Sequence, residues 1–386
     1  MSGRRHLLVT NDFPPKVGGI QSYLWELWRR LDPSSFQVLT ASSHPDARAF
    51  DAAQAAQGIR IDRVPGSTLL FATRRNRRAV RAAIEGFDPE LVFLDPVFPL
   101  GLLAGQLERR CALILHGAEV SIPGRIPLVG SQVRRAFRRS DGILAAGPYP
   151  LQAAVELAGT ACPPVLEIPP GVDTDRFRPL AESQRVAFRE RLGISADALL
   201  VSSVSRLVPR KGMDTLIKAA SLCHARLEQL QVVIGGTGRD EKRLRRLVAS
   251  TRAPVRLLGQ VSDDELPMLL AASDLFVMDC RSRWGGLEQE GFGIVFLEAA
   301  AAGVAQIAGL SGGSADAVVD GETGLVVREP ESPRALADAI EALLSDPARR
   351  LAMGRAARSR AEASFDYGVL ARRLSDALDA GWPSAG

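Results

Sequence analysis

The chain has 386 residues, 46% of them hydrophobic and 24% charged, with a formal net charge of +4. That length exceeds one ordinary hydrophobic core, so two domains of about 150–200 residues are expected, and the composition is that of a globular chain rather than a disordered or membrane one. No run reaches the roughly 18 uninterrupted apolar residues of a spanning helix, because the richest stretch, around residues 294–310, carries Glu298 and two glycines.

The charge is uneven. Residues 1–170 hold 20 Lys and Arg against 15 Asp and Glu, about +5, so the remainder is near −1. This excess suits an anionic partner for the first half and is too weak to argue nucleic acid. The opening Met-Ser-Gly-Arg-Arg-His carries no signal-peptide pattern. Cys111, Cys162, Cys223 and Cys280 lie far apart, without zinc or redox spacing. Free thiols in a reducing cytoplasm are the expectation.

In chain order, His6-Leu7-Leu8-Val9-Thr10 reads as a buried strand, and the loop after it runs Asn11-Asp12-Phe13-Pro14-Pro15-Lys16-Val17-Gly18-Gly19. A Gly-Gly pair opening a helix offers bare amides to an anion, since the first N–H groups lack partners and the dipole favours negative charge. A tight strand-to-helix turn is the plainer reading of the same glycines. Helical spacing follows over residues 20–31, then strands over 36–40, 91–94 and 112–115, with a helix over 74–86. His116, followed by Gly117, Ala118 and Glu119, comes directly after a strand, where ligands of parallel sheets bind. Over residues 126–139, Ile126, Val129, Val133 and Phe137 fall at helical spacing, with Arg134, Arg135, Arg138 and Arg139 on other faces. Such a helix either packs its stripe on the sheet or docks on an anionic membrane surface.

A strand over 142–145 precedes Pro169-Pro170-Gly171-Val172-Asp173, where Pro and Gly interrupt both periodicities and a domain seam is expected. The pattern then restarts, with strands over 199–205, 231–235, 255–258, 275–278 and 324–327 and helices over 213–225 and 263–272. Ser205-Arg206-Leu207-Val208-Pro209-Arg210-Lys211-Gly212 follows the first of these strands. Arg206 as a fork and Lys211 as a point charge suit the two phosphates of a diphosphate; a solvated basic turn is the alternative. Gly235-Gly236-Thr237-Gly238 admits two readings, close backbone approach to a nucleotide or a strand cap. Glu290-Gly291-Phe292-Gly293-Ile294 leads through an apolar run to Glu298. Eight residues on a helix are about two turns, which would place both carboxylates on one face. Residues 333–344, 347–363 and 367–378 read as closing helices.

Alternating strands and helices in two successive sets imply two doubly wound parallel-sheet domains, residues 1–175 and then 176–365; residues 366–386 are expected separately as a C-terminal helix that crosses back to the first. The one Asp-X-Asp, Asp173-Thr174-Asp175, falls in the expected seam and no His/carboxylate cluster accompanies it, so no metal is required.

Together, Gly18-Gly19, His116-Gly117, Pro170-Gly171-Val172-Asp173, Ser205-Arg206-Leu207 with Lys211-Gly212, the run from Glu290 to Glu298, and Ser311-Gly312-Gly313 resemble the retaining GT-B glycosyltransferases of family 4 across essentially the whole chain. The loops at 11–24 and 205–212 resemble most the actinobacterial phosphatidylinositol monomannoside mannosyltransferases. Ala118 departs from that group's His-Gly-His-Glu, Trp284 interrupts a glycine-rich loop, and Ser314-Ala315-Asp316 replaces Ala-Pro-Glu. The resemblance implies two facing Rossmann-like domains and transfer of a hexose, with mannose from GDP-mannose favoured over another nucleotide-diphosphate sugar. It implies a glycan or glycolipid acceptor, no cofactor or metal, and a cytoplasmic enzyme peripheral to the inner membrane face. It also implies roles. The Gly19 amide, Arg206 and Lys211 hold the diphosphate, and Glu290 and His116 contact the sugar, with Phe292, Gly293 and Ile294 completing the donor loop. Glu298 takes the ribose, Gly235, Leu258, Gly259 and Val261 flank the nucleotide, and Asp12 and Gln21 serve the acceptor. An epimerase of the same fold would act without acceptor, and a nucleotide-sugar sensor would tolerate loss of His116 or Glu290.

Overall fold

The computed structural model describes residues 3–383 except 43, 67, 70, 118–126, 160–161 and 287. The chain divides into two compact units, Met1–Pro170 with Tyr367–Gly386, and Gly171–Asp366.

The first unit is built on a seven-stranded parallel sheet. Its strands are β1 His6–Thr10, β2 Phe36–Ala41, β3 Arg60–Val64, β4 Leu91–Asp95, β5 Arg110–Leu115, β6 Gly142–Ala145 and β7 Val165–Glu167, ordered β3-β2-β1-β4-β5-β6-β7. Every residue of β1 and β4 is buried, because a central parallel strand is covered on both faces and so reads as a continuous apolar run. Successive side chains alternate between two cores. Leu7, Val9, Val92 and Leu94 enter one, with Val133 and Phe137; Leu8 and Phe93 enter the other, with Trp28 and Leu374. The second core includes Leu370, Leu374 and Leu378 of the helix Tyr367–Asp379.

The second unit repeats the design with six strands. They are β8 Leu199–Val204, β9 Leu230–Gly235, β10 Val255–Gly259, β11 Leu275–Met278, β12 Gln306–Gly309 and β13 Gly324–Val327, ordered β10-β9-β8-β11-β12-β13. Strand order reverses between β1 and β4 and again between β8 and β11. Beyond the carboxyl ends at such a switch point lies the ligand position of open α/β sheets.

The two parallel α/β sheets expected from the sequence are both present. Three strands escape the sequence reading. β3 is an edge strand in which only Val64 is buried, and β7 is a three-residue edge with no buried residue; edges carry charge to discourage further pairing. The apolar stretch at 294–310 is split by Gly303 at φ +76° into the helix Ile294–Ala301 and strand β12. The helix expected over 347–363 is α-helical only over Pro347–Arg360, and Ala361–Phe365 forms a π turn. Asp173-Thr174-Asp175 is a structural turn, in which Asp173 accepts from the Arg176 amide and Thr174 Oγ1 donates to Asp366 at 2.7 Å.

The basic amphipathic helix runs over Pro127–Phe137, and Ile126 lies outside the described residues. Its apolar stripe is committed to the sheet: Val133 and Phe137 are buried in the core and Val129 packs against them. The stripe therefore does not enter lipid. Arg135, Arg138 and Arg139 remain exposed, as does Leu128. Among the described residues, no helix is long and apolar enough to cross a membrane.

Candidate active site

At the carboxyl edge of the first sheet, register decides which side chains meet. Thr10 closes β1 directly beside Asp95, which closes β4, and His116 follows the last residue of β5. Thr10 Oγ1 donates to Asp95 Oδ2 at 2.5 Å, and His116 Nε2 lies 2.7 Å from Asp95 Oδ1. A carboxylate only accepts, so the bond assigns the His116 proton to Nε2 and orients the ring. The Tyr23 ring packs edge-on against His116, and its hydroxyl donates to the Ile168 carbonyl at 2.8 Å. Asp95 is the functional candidate that the sequence reading missed. Its available signal was position, a carboxylate closing a parallel strand.

Asp12 joins this edge through its backbone and its carboxylate. Its amide donates to Thr10 Oγ1 at 2.9 Å, and Gln21 Nε2 donates to Asp12 Oδ1 at 2.7 Å. Gln21 reaches it because Gly18 has no side chain: a Cβ there would stand 2.3 Å from Gln21 Oε1. Gly19 begins the helix Gly19–Trp28, whose first turn holds no acidic side chain. Burial raises the Asp12 pKa above the ordinary carboxylate value, and the Asp95 charge adds to it. Asp12, Gln21 and His116 are thus gathered around Asp95. Ala118 and Glu119 lie outside the described residues.

In the second unit, the loops after β8, β9 and β10 are knitted together. Leu207 N donates to Thr237 O at 2.8 Å and Gly236 N to Gly259 O at 2.6 Å. A Cβ on Gly236 would fall 1.9 Å from Ser205 O, and one on Gly238 2.3 Å from Leu207 O. The glycine cluster therefore serves close backbone packing against the basic loop. A Cβ on Gly235 would meet Val261 at 2.5 Å, and Leu258 and Val261 are partly buried against a small core.

The basic loop distributes its cations unequally. Arg206 is exposed. Lys211 is buried, and its Nζ lies 2.6 Å from Glu290 Oε2; Arg210 Nη1 lies 2.6 Å from the same oxygen. Burial pushes the Glu290 pKa up, but the charges of Lys211 and Arg210 outweigh it, so the carboxyl stays below its ordinary value. Cys280 Sγ adds a donor to Oε2 at 3.5 Å. Ser311-Gly312-Gly313 closes over this segment. Gly313 N donates to Glu290 O at 3.0 Å, and a Cβ on Gly312 would come 2.2 Å from that oxygen.

The expectation that Glu290 and Glu298 share one helical face is corrected. Gly293 takes φ +84°, a conformation that favours glycine, and the helix starts only at Ile294. Glu290 and the buried Phe292 therefore belong to the loop, and Glu298 to the helix. Among the described residues, the Glu298 carboxyl makes no hydrogen bond. Burial pushes its pKa up to about 7 against the opposing charge of Arg176, leaving an acceptor position for a ligand hydroxyl.

Comparison with known proteins gives the family and the fold. Residues 184–360 match the family described as Glycosyl transferases group 1, and residues 17–176 match Glycosyltransferase Family 4. The chain is 40% identical, over 97% of its length and 98% of the relative's, to a GDP-mannose-dependent alpha-(1-6)-phosphatidylinositol monomannoside mannosyltransferase of Mycobacterium tuberculosis. It is 36% identical, over 98% of both chains, to a GDP-mannose-dependent monoacylated alpha-(1-6)-phosphatidylinositol monomannoside mannosyltransferase of Corynebacterium glutamicum. Among solved structures, Anabaena HepE in complex with UDP superposes with a TM-score of 0.82 at 20% identity, covering 97% of this chain and 100% of that one. Sucrose-phosphate synthase from Thermosynechococcus elongatus gives 0.77 at 22% identity, covering 97% and 98%.

Proposed function

The chain belongs to the GT-B glycosyltransferases of family 4, and from that premise we propose that it moves mannose from GDP-mannose to a mannosylated phosphatidylinositol, retaining the anomeric configuration. The observation that carries the reading is the cluster of Lys211 and Arg210 on one oxygen of Glu290. A buried, ionised carboxylate with its other oxygen open is suited to sugar hydroxyls. Near-full-length identity to two such mannosyltransferases supports the donor and acceptor class.

In this reading the bond from the anomeric carbon to the β-phosphate oxygen breaks as the acceptor oxygen attacks from the same face. The leaving diphosphate takes the acceptor's proton. Negative charge gathers on the diphosphate in the transition state, and preorganised donors placed there are the main catalytic device. Arg206, Lys211 and the Gly19 amide are assigned to that charge, Glu298 to the ribose, and Gly235, Leu258, Gly259 and Val261 to the nucleotide, with Phe292, Gly293 and Ile294 shaping the donor loop. His116, oriented by Asp95, is assigned to the sugar, and Asp12 with Gln21 to the acceptor. Two side-chain cations balance a diphosphate diester, so the transfer is assigned to these residues without a metal.

A panel of GDP- and UDP-sugars, assayed with and without a phosphatidylinositol mannoside and with excess EDTA, tests the assignment. The expected result is acceptor-dependent release of GDP from GDP-mannose, undiminished by EDTA, and thermal stabilisation by GDP in preference to UDP. Turnover of a UDP-sugar onto a soluble acceptor would replace the donor and acceptor assignment. Conversion of the donor without acceptor would make the enzyme an epimerase, and activity restored by Mg²⁺ or Mn²⁺ after EDTA would overturn metal independence.

A second reading, docking on an anionic membrane surface, is favoured by the exposed Arg135, Arg138 and Arg139 beside the exposed Leu128. A cavity of about 250 Å³ lined by Gln106, Gln132, Arg135 and Arg139 lies at the same helix. With the apolar stripe spent on the core, attachment is electrostatic, at about 1 kcal/mol per basic residue near the surface. Co-sedimentation with liposomes should require anionic lipid, weaken as salt rises and fall when Arg135, Arg138 and Arg139 become serine. Equal binding to neutral vesicles would sink the electrostatic account.

A further inference from the structure

Glu290 is gripped by one oxygen only. Arg210, Lys211 and Cys280 all converge on Oε2, while Oε1 accepts no hydrogen bond from the described residues. The turn that delivers the two cations is clamped. Pro209–Lys211 forms a single 3₁₀ turn ending at Gly212, φ +70°, and a Cβ on Gly212 would fall 1.9 Å from the Asp279 carbonyl just beyond β11. The Arg210 carbonyl accepts from the Arg281 amide at 2.9 Å. Arg210 is thus pinned at its backbone and largely buried at its side chain.

The inference rests on the donor reading above. A diphosphate diester brings two negative charges to Arg206 and Lys211. Glu290 makes a third, and in a partly dry site an unbalanced charge is costly. Arg210 is the third cation. We propose that Arg210 is a positioning residue for the transfer: it keeps Glu290 anionic and anchored through Oε2, so that Lys211 is available to the diphosphate and Oε1 to the sugar. Guanidinium suits the task, because it stays charged at every working pH and holds a planar geometry. Cys280 supports it as a neutral donor.

The charged and titratable groups facing Glu290 are Arg210 and Lys211, from the turn after β8, and Cys280, after β11. Ser311, after β12, contributes a neutral hydroxyl that accepts from the Glu290 amide. Burial works to protonate the carboxyl, and the two cations work against it. Removing Arg210 therefore raises the pKa, and the function of Glu290 is lost at a higher pH than in the wild type.

The test compares wild type, Arg210→Gln and Arg210→Lys. Its first readout is kcat/KM for GDP-mannose across about pH 5 to 9. Its second is a ¹³C-glutamate NMR titration, with the Glu290 resonance identified by its loss in Glu290→Gln. Arg210→Gln should lower kcat/KM at neutral pH by about 10- to 100-fold, the range for one hydrogen bond to a charged group. It should move the acid limb and the Glu290 midpoint to higher pH together, and Arg210→Lys should return both toward wild type. An unmoved Glu290 midpoint in Arg210→Gln overturns the proposal, as does an unmoved acid limb. If wild type does not turn over GDP-mannose, the donor reading fails separately, and the NMR midpoint still decides the role of Arg210.

Discussion

Lys211→Ala and Arg206→Ala are each expected to lower turnover by a factor on the order of 10²–10³, as loss of one preorganised donor to a developing anion does. The two variants should differ in everything else. Arg206 is exposed, so its removal leaves the fold intact and acts on the diphosphate alone. Lys211 is buried against Glu290, and stripping one partner from a buried pair leaves a charge short of compensation. Arg210 remains on the same oxygen, so the loss of stability should stop well short of unfolding. Steady-state kinetics alongside thermal denaturation separate the two effects. Near-wild-type turnover in either variant, with unchanged GDP affinity, would show that the cation does not stabilise the leaving group.

The second large effect is expected at Asp95. Asp95→Asn keeps the size of the side chain but replaces one carboxylate oxygen with an NH₂ group. Thr10 can rotate its hydroxyl to suit, whereas His116 would face an amide that can present N–H to Nε2 and select the opposite tautomer. Where a carboxylate orients a working imidazole, that change alone is severe, so a loss of about 10²-fold or more in kcat is expected, with a smaller change in KM. A second consequence can be read independently. The Asp95 charge helps to raise the Asp12 pKa, so in Asp95→Asn the Asp12 carboxyl should titrate at lower pH, as followed by ¹³C NMR. Turnover within about twofold of wild type would show that this hydrogen bond is structural only.

The central strands were legible in the sequence, because a strand buried on both faces cannot hide its apolar run: β1, β4, β5, β8 and β11 all carry it. The candidate loops were legible for a related reason. Residues that follow such strands stand at the ligand edge of a parallel sheet whatever the rest of the chain does, which singled out His116, Arg206 and Lys211, whereas Asp12 was marked only by the family resemblance. Partnership was not legible, because it depends on register and loop packing between segments distant in the chain. Asp95 meets His116 because neighbouring parallel strands end side by side. Three cations in six residues look alike in sequence, yet the clamped turn buries Lys211, directs Arg210 onto Glu290 and leaves Arg206 exposed. The eight-residue spacing of Glu290 and Glu298 suggested one helical face, and a single left-handed glycine, Gly293, removed it. The arginine helix showed the same division. Its amphipathic period was plain in the sequence, but only the packed core could show that Val133 and Phe137 belong to the sheet. Periodicity records how a segment is amphipathic, and the tertiary fold decides what covers its apolar side.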